Sequence, residues 1–276
     1  MKNTPSILVI DSGVGGLSVC QSILASGDNV QIIYFADDAY APYGLLNEAM
    51  LEERLVKIVS SMLALHQPSL VVLACNTVST LLLPQLRAQF DVPFVGVVPA
   101  IKPAAICSKT HRIGLLATPA TVKRAYTDAL ILDYADQCDV IRIGSNELVL
   151  QAEALLAGKA VALEVLESIL KPFLKSEGKP NVDTIVLGCT HFPLLKPHFE
   201  KLLPDITWVD SGEAIAKRVH SLLKQHKTIA SPTQSKQSAL THKIYFSECL
   251  PNRSNFKSAL ENLGFINSEL HLLNVE

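Results

Sequence analysis

The sequence predicts an α/β fold of two similar domains, each a mainly parallel sheet flanked by helices. Three observations carry that expectation. Apolar runs of strand length alternate with helical patterns through most of the chain, the order that builds parallel sheets covered on both faces. The chain also looks doubled: Ile7–Ile10 with its small-residue loop resembles Ile113–Leu116 followed by Ala117-Thr118-Pro119-Ala120-Thr121. Finally, two distant segments nearly coincide, Val71-Val72-Leu73-Ala74-Cys75-Asn76-Thr77 and Ile185-Val186-Leu187-Gly188-Cys189-Thr190-His191.

The elements follow in order. Ile7–Ile10 is wholly apolar and runs into Asp11-Ser12-Gly13-Val14-Gly15-Gly16, a tight turn before a helix. Gln31–Phe35 is the second strand; Pro42-Tyr43-Gly44 then reads as a turn, because Pro and Gly are turn residues. An amphipathic helix over Glu48–Leu65 precedes the strands Leu70–Leu73 and Phe94–Val97, and the helical pattern between these two contains Pro84. In the second half the strands are Arg112–Leu116, Asp139–Ile143, Thr184–Leu187 and Thr207–Val209, with helical stretches at Leu148–Leu156 and Val161–Leu174. Val209-Asp210-Ser211-Gly212 echoes Ile10-Asp11-Ser12-Gly13, and a helix over Glu213–Gln225 returns the chain to the first domain. The expected domains are therefore residues 1–98 with 210–276, and residues 99–209. Thr228–Thr241, rich in Ser, Gln and Thr, reads as a loop; Lys243–Ser247 and Asn255–Leu263 read as a last strand and helix.

Composition narrows the function. With 276 residues and 49% apolar content the chain can bury a large core. Lys plus Arg number 24 against 26 Asp plus Glu, so nothing electrostatic favours nucleic acid as a partner. No run approaches the roughly 20 apolar residues of a membrane span, and the opening Met1–Pro5 leads straight into a strand without a signal-peptide core, so the expected location is cytoplasmic. The six cysteines lack CxxC spacing and are expected as free thiols; Cys20, Cys107, Cys138 and Cys249 read as packing or surface residues.

Cys75 and Cys189 read differently, because each ends a buried strand and precedes residues that start helices. The thiolate is the reactive form, and a helix N-terminus favours it. Two such thiols suit the movement of a proton from one face of a carbon to the other. His191, two residues beyond Cys189, can raise its thiolate fraction or polarise a neighbouring carboxylate. The Cys189/His191 spacing is too close for a zinc pair and no second cluster accompanies it, so no metal is expected. The glycine loop after Asp11 exposes N–H groups suited to a carboxylate or phosphate. A dinucleotide fingerprint would join Gly13 and Gly15 to Asp37 or Asp38, but Ser18 stands at the third glycine position and Asp11 would face the pyrophosphate. Thr118 and Thr121 cap the first helix of the second half, a place to bind a second carboxylate. Read on its helix alone, Glu153 belongs to a solvent-facing side.

Asp11-Ser12-Gly13-Val14-Gly15-Gly16, Pro42-Tyr43-Gly44, Ala74-Cys75-Asn76-Thr77 and Gly188-Cys189-Thr190-His191-Phe192-Pro193-Leu194 together resemble the bacterial glutamate racemases of the aspartate/glutamate racemase superfamily, from about Ile7 to Leu223. The resemblance implies a cofactor-independent racemase with its active site between two α/β domains, and D-glutamate supplied for peptidoglycan. By it, Cys75 takes the α-proton of D-glutamate and Cys189 that of L-glutamate, each returning a proton when the other acts as base. Asp11 and His191 assist the two thiols and Glu153 helps the second, while Asp11, Ser12, Tyr43, Gly44, Asn76, Thr77, Thr190 and His191 match substrate-contacting positions. Tyr43 is expected to donate a hydrogen bond there, with Gly44 letting the backbone approach. The motif loops carry no lysine for a Schiff base and no arginine for the carboxylates, so backbone N–H groups, Thr, Asn and Ser must hold the substrate. Where many members have Cys-Pro, this chain has Ser145-Asn146, as in a branch that a cell-wall nucleotide precursor activates at a hinge-side site. A homodimer is compatible with the resemblance. The rival readings are an aspartate or broad-specificity racemase, a nicotinamide-dependent dehydrogenase, and a non-catalytic amino-acid binder or regulatory protein.

Overall fold

The computed structural model describes residues 4–174, 178–225, 240–249 and 253–275. They cluster into two compact units, Met1–Val97 with Gly212–Glu276, and Val98–Ser211. The first begins with β1 (Ser6–Asp11), α1 (Leu17–Ala25), β2 (Gln31–Ala36), α2 (Glu48–His66), β3 (Leu70–Leu73), α3 (Asn76–Gln89) and β4 (Phe94–Gly96). The second contains α4 (Ile101–Cys107), β5 (Arg112–Ala117), α5 (Pro119–Val122), α6 (Ala125–Tyr134), β6 (Asp139–Gly144), α7 (Glu147–Leu156), α8 (Leu163–Leu170), β7 (Thr184–Leu187), α9 (Lys196–Leu202) and β8 (Thr207–Val209). The chain then completes the first unit with α10 (Gly212–Gln225), β9 (His242–Phe246), α11 (Arg253–Asn262) and β10 (Ser268–Leu272).

Both sheets are parallel throughout, in the orders β10-β9-β2-β1-β3-β4 and β6-β5-β7-β8. The first four strands of each half are therefore arranged alike: the second strand, the first, the third, the fourth. The doubling read from the sequence is a repeat of topology. It places a switch point between β1 and β3 in one unit and between β5 and β7 in the other, where connections leave in opposite directions and open a crevice at the strands' carboxyl ends. Residues of β1, β3, β5 and β7 are buried nearly without exception, as central strands covered on both faces must be.

Some expectations change. The amphipathic stretch Val161–Leu174 is α8 followed by a separate 3-10 turn over Lys171–Leu174, because Pro172 cannot continue the α-helical hydrogen bonds. β10 was not foreseen: its alternating, half-exposed SELHL pattern is that of an edge strand and is weakly apolar. The echo at Val209–Gly212 is not part of the repeat, since β8 occupies the place of β4 and Gly212 opens α10. Most of the Thr228–Thr241 loop lies outside the described residues. Among the described residues no helix is long and apolar enough to cross a membrane.

Candidate active site

The first thiol is positioned by strand register. In β1 and β3, Ile10 pairs with Leu73, so Asp11-Ser12 and Ala74-Cys75 leave neighbouring strands side by side, joined by the bond from Ala74 N–H to the Ile10 carbonyl at 2.8 Å. Cys75 is the residue from which α3 starts, with extended φ and ψ, and is 8% exposed. The N–H groups of the first turn of α3 have no partner within the helix and point toward this end. Asn76 and Thr77 are both buried beside it, and Asn76 Oδ1 has no hydrogen-bond partner among the described residues. Ser79 locks the geometry: its hydroxyl donates to the Leu73 carbonyl at 2.9 Å and accepts from Val97 N–H at 2.9 Å, tying α3 to the strands on either side.

Asp11 folds back on its own loop and accepts the Gly16 N–H at 2.7 Å. Gly16 has to be glycine. A Cβ there would stand 2.8 Å from Ala74 Cβ, 2.9 Å from Tyr34 Oη and 3.0 Å from Asp11 Cβ, so the loop, the residue that follows β3 and the Asp11 side chain all meet at this point. Tyr34 adds a second tie by donating to the Gly13 carbonyl at 2.7 Å.

Tyr43 has its hydroxyl engaged within the protein. Its ring is fully buried and its hydroxyl already donates to Asp37 Oδ2 at 2.8 Å. Burial first, then Asp37, then the charges of Cys75 and Asp11, push this phenol well above its ordinary value, so it remains a donor. What the segment can offer a ligand is backbone: Tyr43 and Gly44 open a 3-10 turn, whose first N–H groups have no partner within it.

The second thiol occupies the matching place. Leu116 pairs with Leu187, Gly188 N–H bonds the Leu116 carbonyl at 2.8 Å, and Cys189 is also 8% exposed. The surroundings differ, however. Cys189 leads into a short 3-10 turn over Phe192–Leu195 rather than directly into a long helix, so the helix-start argument is weaker for it than for Cys75. By strand register the counterpart of Asp11 is Ala117, which carries no charge. The polar help comes instead from beyond the cysteine. His191 Nδ1 lies 3.9 Å from Cys189 Sγ, and His191 Nε2 lies 2.7 Å from Glu153 Oε1 on α7. Burial alone would lower the imidazole pKa; the hydrogen bonds and charges of Cys189 and Glu153 outweigh it and hold His191 well above the ordinary value. The imidazole is thus buried with the Cys189 sulfur on one nitrogen and the Glu153 carboxyl group on the other. Glu153 does not belong to a purely solvent-facing side: it keeps 41% of its side chain exposed while one oxygen reaches inward. Ser145 supports this placement, since its hydroxyl accepts Leu148 N–H in the first turn of α7.

Thr118 and Thr121 stand at the carboxyl end of β5, their hydroxyls 3.0 Å apart, with Thr118 Oγ1 also accepting Thr121 N–H. Thr127 donates to the Thr121 carbonyl at 2.6 Å and holds the turn. Thr190 is buried between Cys189 and His191. Among the described residues no group of three or more His, Cys, Asp or Glu side chains could hold a metal ion.

The model of the Asp/Glu/hydantoin racemase family matches residues 7–219. The chain belongs to this family. A glutamate racemase of Pectobacterium atrosepticum is 44% identical over 266 residues, covering 96% of this chain and 90% of that one. The crystal structure of Escherichia coli glutamate racemase in complex with L-glutamate and the activator UDP-MurNAc-Ala superposes with a TM-score of 0.87 at 42% identity, covering 99% and 100% of the two chains. A glutamate racemase isoform from Bacillus anthracis gives a TM-score of 0.80 at 26% identity, covering 100% and 99%. The protein is an amino-acid racemase, an isomerase with the two-domain α/β fold of the family.

Within this racemase each unit gathers its own candidates. Asp11, Ser12, Cys75, Asn76 and Thr77 collect at one switch point; Thr118, Thr121, Cys189, Thr190 and His191 collect at the other, with Glu153 reaching His191 from α7. Asp37, which takes the Tyr43 hydroxyl, and Arg54, which pairs with Asp37, were missed as neighbours of the Tyr43 turn. Arg54 did leave a signal: it lies on the apolar stripe Leu51, Leu55, Ile58, Met62 of α2, where a charge is buried only if paired.

Proposed function

We propose that this racemase interconverts L- and D-glutamate by a two-base proton transfer without a cofactor, Cys75 and Cys189 being the bases. The observation that carries the reading is the topological equivalence of the two thiols, each two residues beyond the strand pair at a switch point and each almost buried. Inversion needs a base on one face of the α-carbon and an acid on the other. With D-glutamate, the Cys75 thiolate takes the α-proton and the Cys189 thiol delivers one to the opposite face; with L-glutamate the roles exchange. The α-proton is a very weak acid, so the developing charge must be met by positioned donors. The N–H groups at the start of α3, those of Tyr43 and Gly44, and the hydroxyls of Thr118 and Thr121 are assigned to the substrate carboxylates.

The two thiols are served by different devices. Asp11, one strand away from Cys75, is the carboxyl group of the first switch point. His191 serves Cys189: as an imidazolium it stabilises the thiolate when Cys189 is base and can resupply the proton when it is acid. We further propose that D-glutamate made here enters peptidoglycan in the cytoplasm. A nucleotide precursor of the cell wall is proposed as an activator, by analogy with the E. coli complex.

Incubation with L-glutamate in D₂O, following optical rotation and α-deuterium together, tests the reaction. D-glutamate carrying solvent deuterium supports it. Absence of exchange, with and without UDP-MurNAc-Ala, would refute it. A rate unchanged by the nucleotide removes the activator alone.

A further inference from the structure

The first unit contains a buried charge pair that no step of the proposed reaction uses. Asp37, at the end of β2, is fully buried, and Arg54 of α2 is 5% exposed. Arg54 Nη2 donates to Asp37 Oδ1 at 2.6 Å and Nε to Oδ2 at 3.0 Å, a forked contact that orients both groups. The remaining nitrogen, Nη1, donates to the main-chain carbonyl of Val275, next to the carboxyl end of the chain. Asp37 Oδ2 also receives the Tyr43 hydroxyl at 2.8 Å, and the Tyr40 ring lies 4.4 Å from the guanidinium carbon. The neighbouring Asp38 is used in the same direction, accepting the N–H groups of Ser247, Glu248 and Cys249 at 2.8, 3.0 and 2.9 Å.

These contacts form one line: Val275 carbonyl, guanidinium, carboxylate, phenol, loop. Packing alone does not call for it, since a buried ion pair is a poor way to gain stability against an apolar replacement. It does tie the Tyr43 side chain, through Asp37, to α2. We propose that Arg54 is a positioning residue for substrate binding, holding Asp37 so that Tyr43 presents the Tyr43 and Gly44 N–H groups to a substrate carboxylate, with the Val275 carbonyl completing its coordination. This inference rests on the proposed glutamate reaction. It gives the main chain at Val275, beyond β10, a function, that of bracing the substrate loop from outside the repeat.

The test compares Michaelis constants for glutamate in wild type, Arg54→Lys, Tyr43→Phe, and a chain ending at Leu273. Lysine keeps the charge but has no fork; phenylalanine keeps the ring and removes only the hydroxyl. Met62→Ala, a core truncation on the same helix, controls for simple loss of stability. Each of the three test variants is expected to raise KM about tenfold, the size of one lost positioned hydrogen bond, with kcat changed much less. Met62→Ala should lower Tm and leave KM alone. If Tyr43→Phe and whichever other variants fold keep the wild-type KM while Tm falls, the pair is structural and the proposal is overturned. An inactive wild type with glutamate would mean instead that the racemase reading had failed, and the proposal with it.

Discussion

Replacing Glu153 with Gln should move the alkaline limb of the pH profile downward by about one unit. The pKa of His191 is held up against burial by Cys189 and Glu153. Glu153 Oε1 is 2.7 Å from His191 Nε2. Charge centres about 4 Å apart at an effective dielectric of about 20 attract by about 4 kcal/mol. The carboxylate is 41% exposed, however, and solvent screens it; exposed pairs measure only about 0.2–1 kcal/mol. A value between these limits, about 1.4 kcal/mol, corresponds to about one pH unit. Glutamine keeps the shape and a hydrogen-bond acceptor but not the charge, so His191 should release its proton earlier as pH rises. The assay is kcat/KM for α-proton exchange from L-glutamate in buffers spanning neutral to alkaline pH. Stability should follow the same sign. A raised folded-state pKa makes a contribution fully present below the free imidazole value and lost as pH climbs through the raised one. The wild-type Tm should therefore fall more on alkalinisation than that of Glu153→Gln. An alkaline limb that stays in place in Glu153→Gln would refute the reasoning, for then either Glu153 does not hold the proton or the proton is not on the reaction path.

Three further outcomes are expected. Cys75→Ser and Cys189→Ser should each reduce racemisation by at least about 10²-fold, with far-UV circular dichroism unchanged; full activity in either would defeat the two-base scheme. Gly16→Ala should cost about 1–3 kcal/mol of stability, because its Cβ would press on Ala74, Tyr34 and Asp11 at 3.0 Å or less, and chemical denaturation will measure it. Asp11→Asn should lower kcat more than it changes KM in steady-state assays; an effect confined to KM would make Asp11 a binding residue.

Much of this molecule can be read in the one-dimensional pattern. The apolar runs Ile7–Ile10, Val71–Leu73 and Ile185–Leu187 announce central strands, because a strand covered on both faces has no polar side to display. The shared pattern of the two cysteine segments, an apolar strand then a small residue and a cysteine, singles out the two thiols, since the carboxyl end of a parallel strand is where such a sheet presents its chemistry. Caps and turns, from Thr118 to Pro42-Tyr43-Gly44, are equally local.

What remained hidden depends on residues far apart in the chain. Glu153 reads as an ordinary exposed residue until α7 brings it to His191, 38 positions away. Tyr43 reads as a free donor until Asp37 takes its hydroxyl, and Arg54 acquires its third partner only when Val275 arrives across 221 positions. The sequence by itself determined the strands, the repeat and the two thiols, because periodicity and local capping follow from neighbours along the backbone. Only the tertiary structure decided which polar groups stand beside which cysteine and what takes the Tyr43 hydroxyl, because hydrogen bonds and charge pairs depend on separations in space that no local pattern encodes.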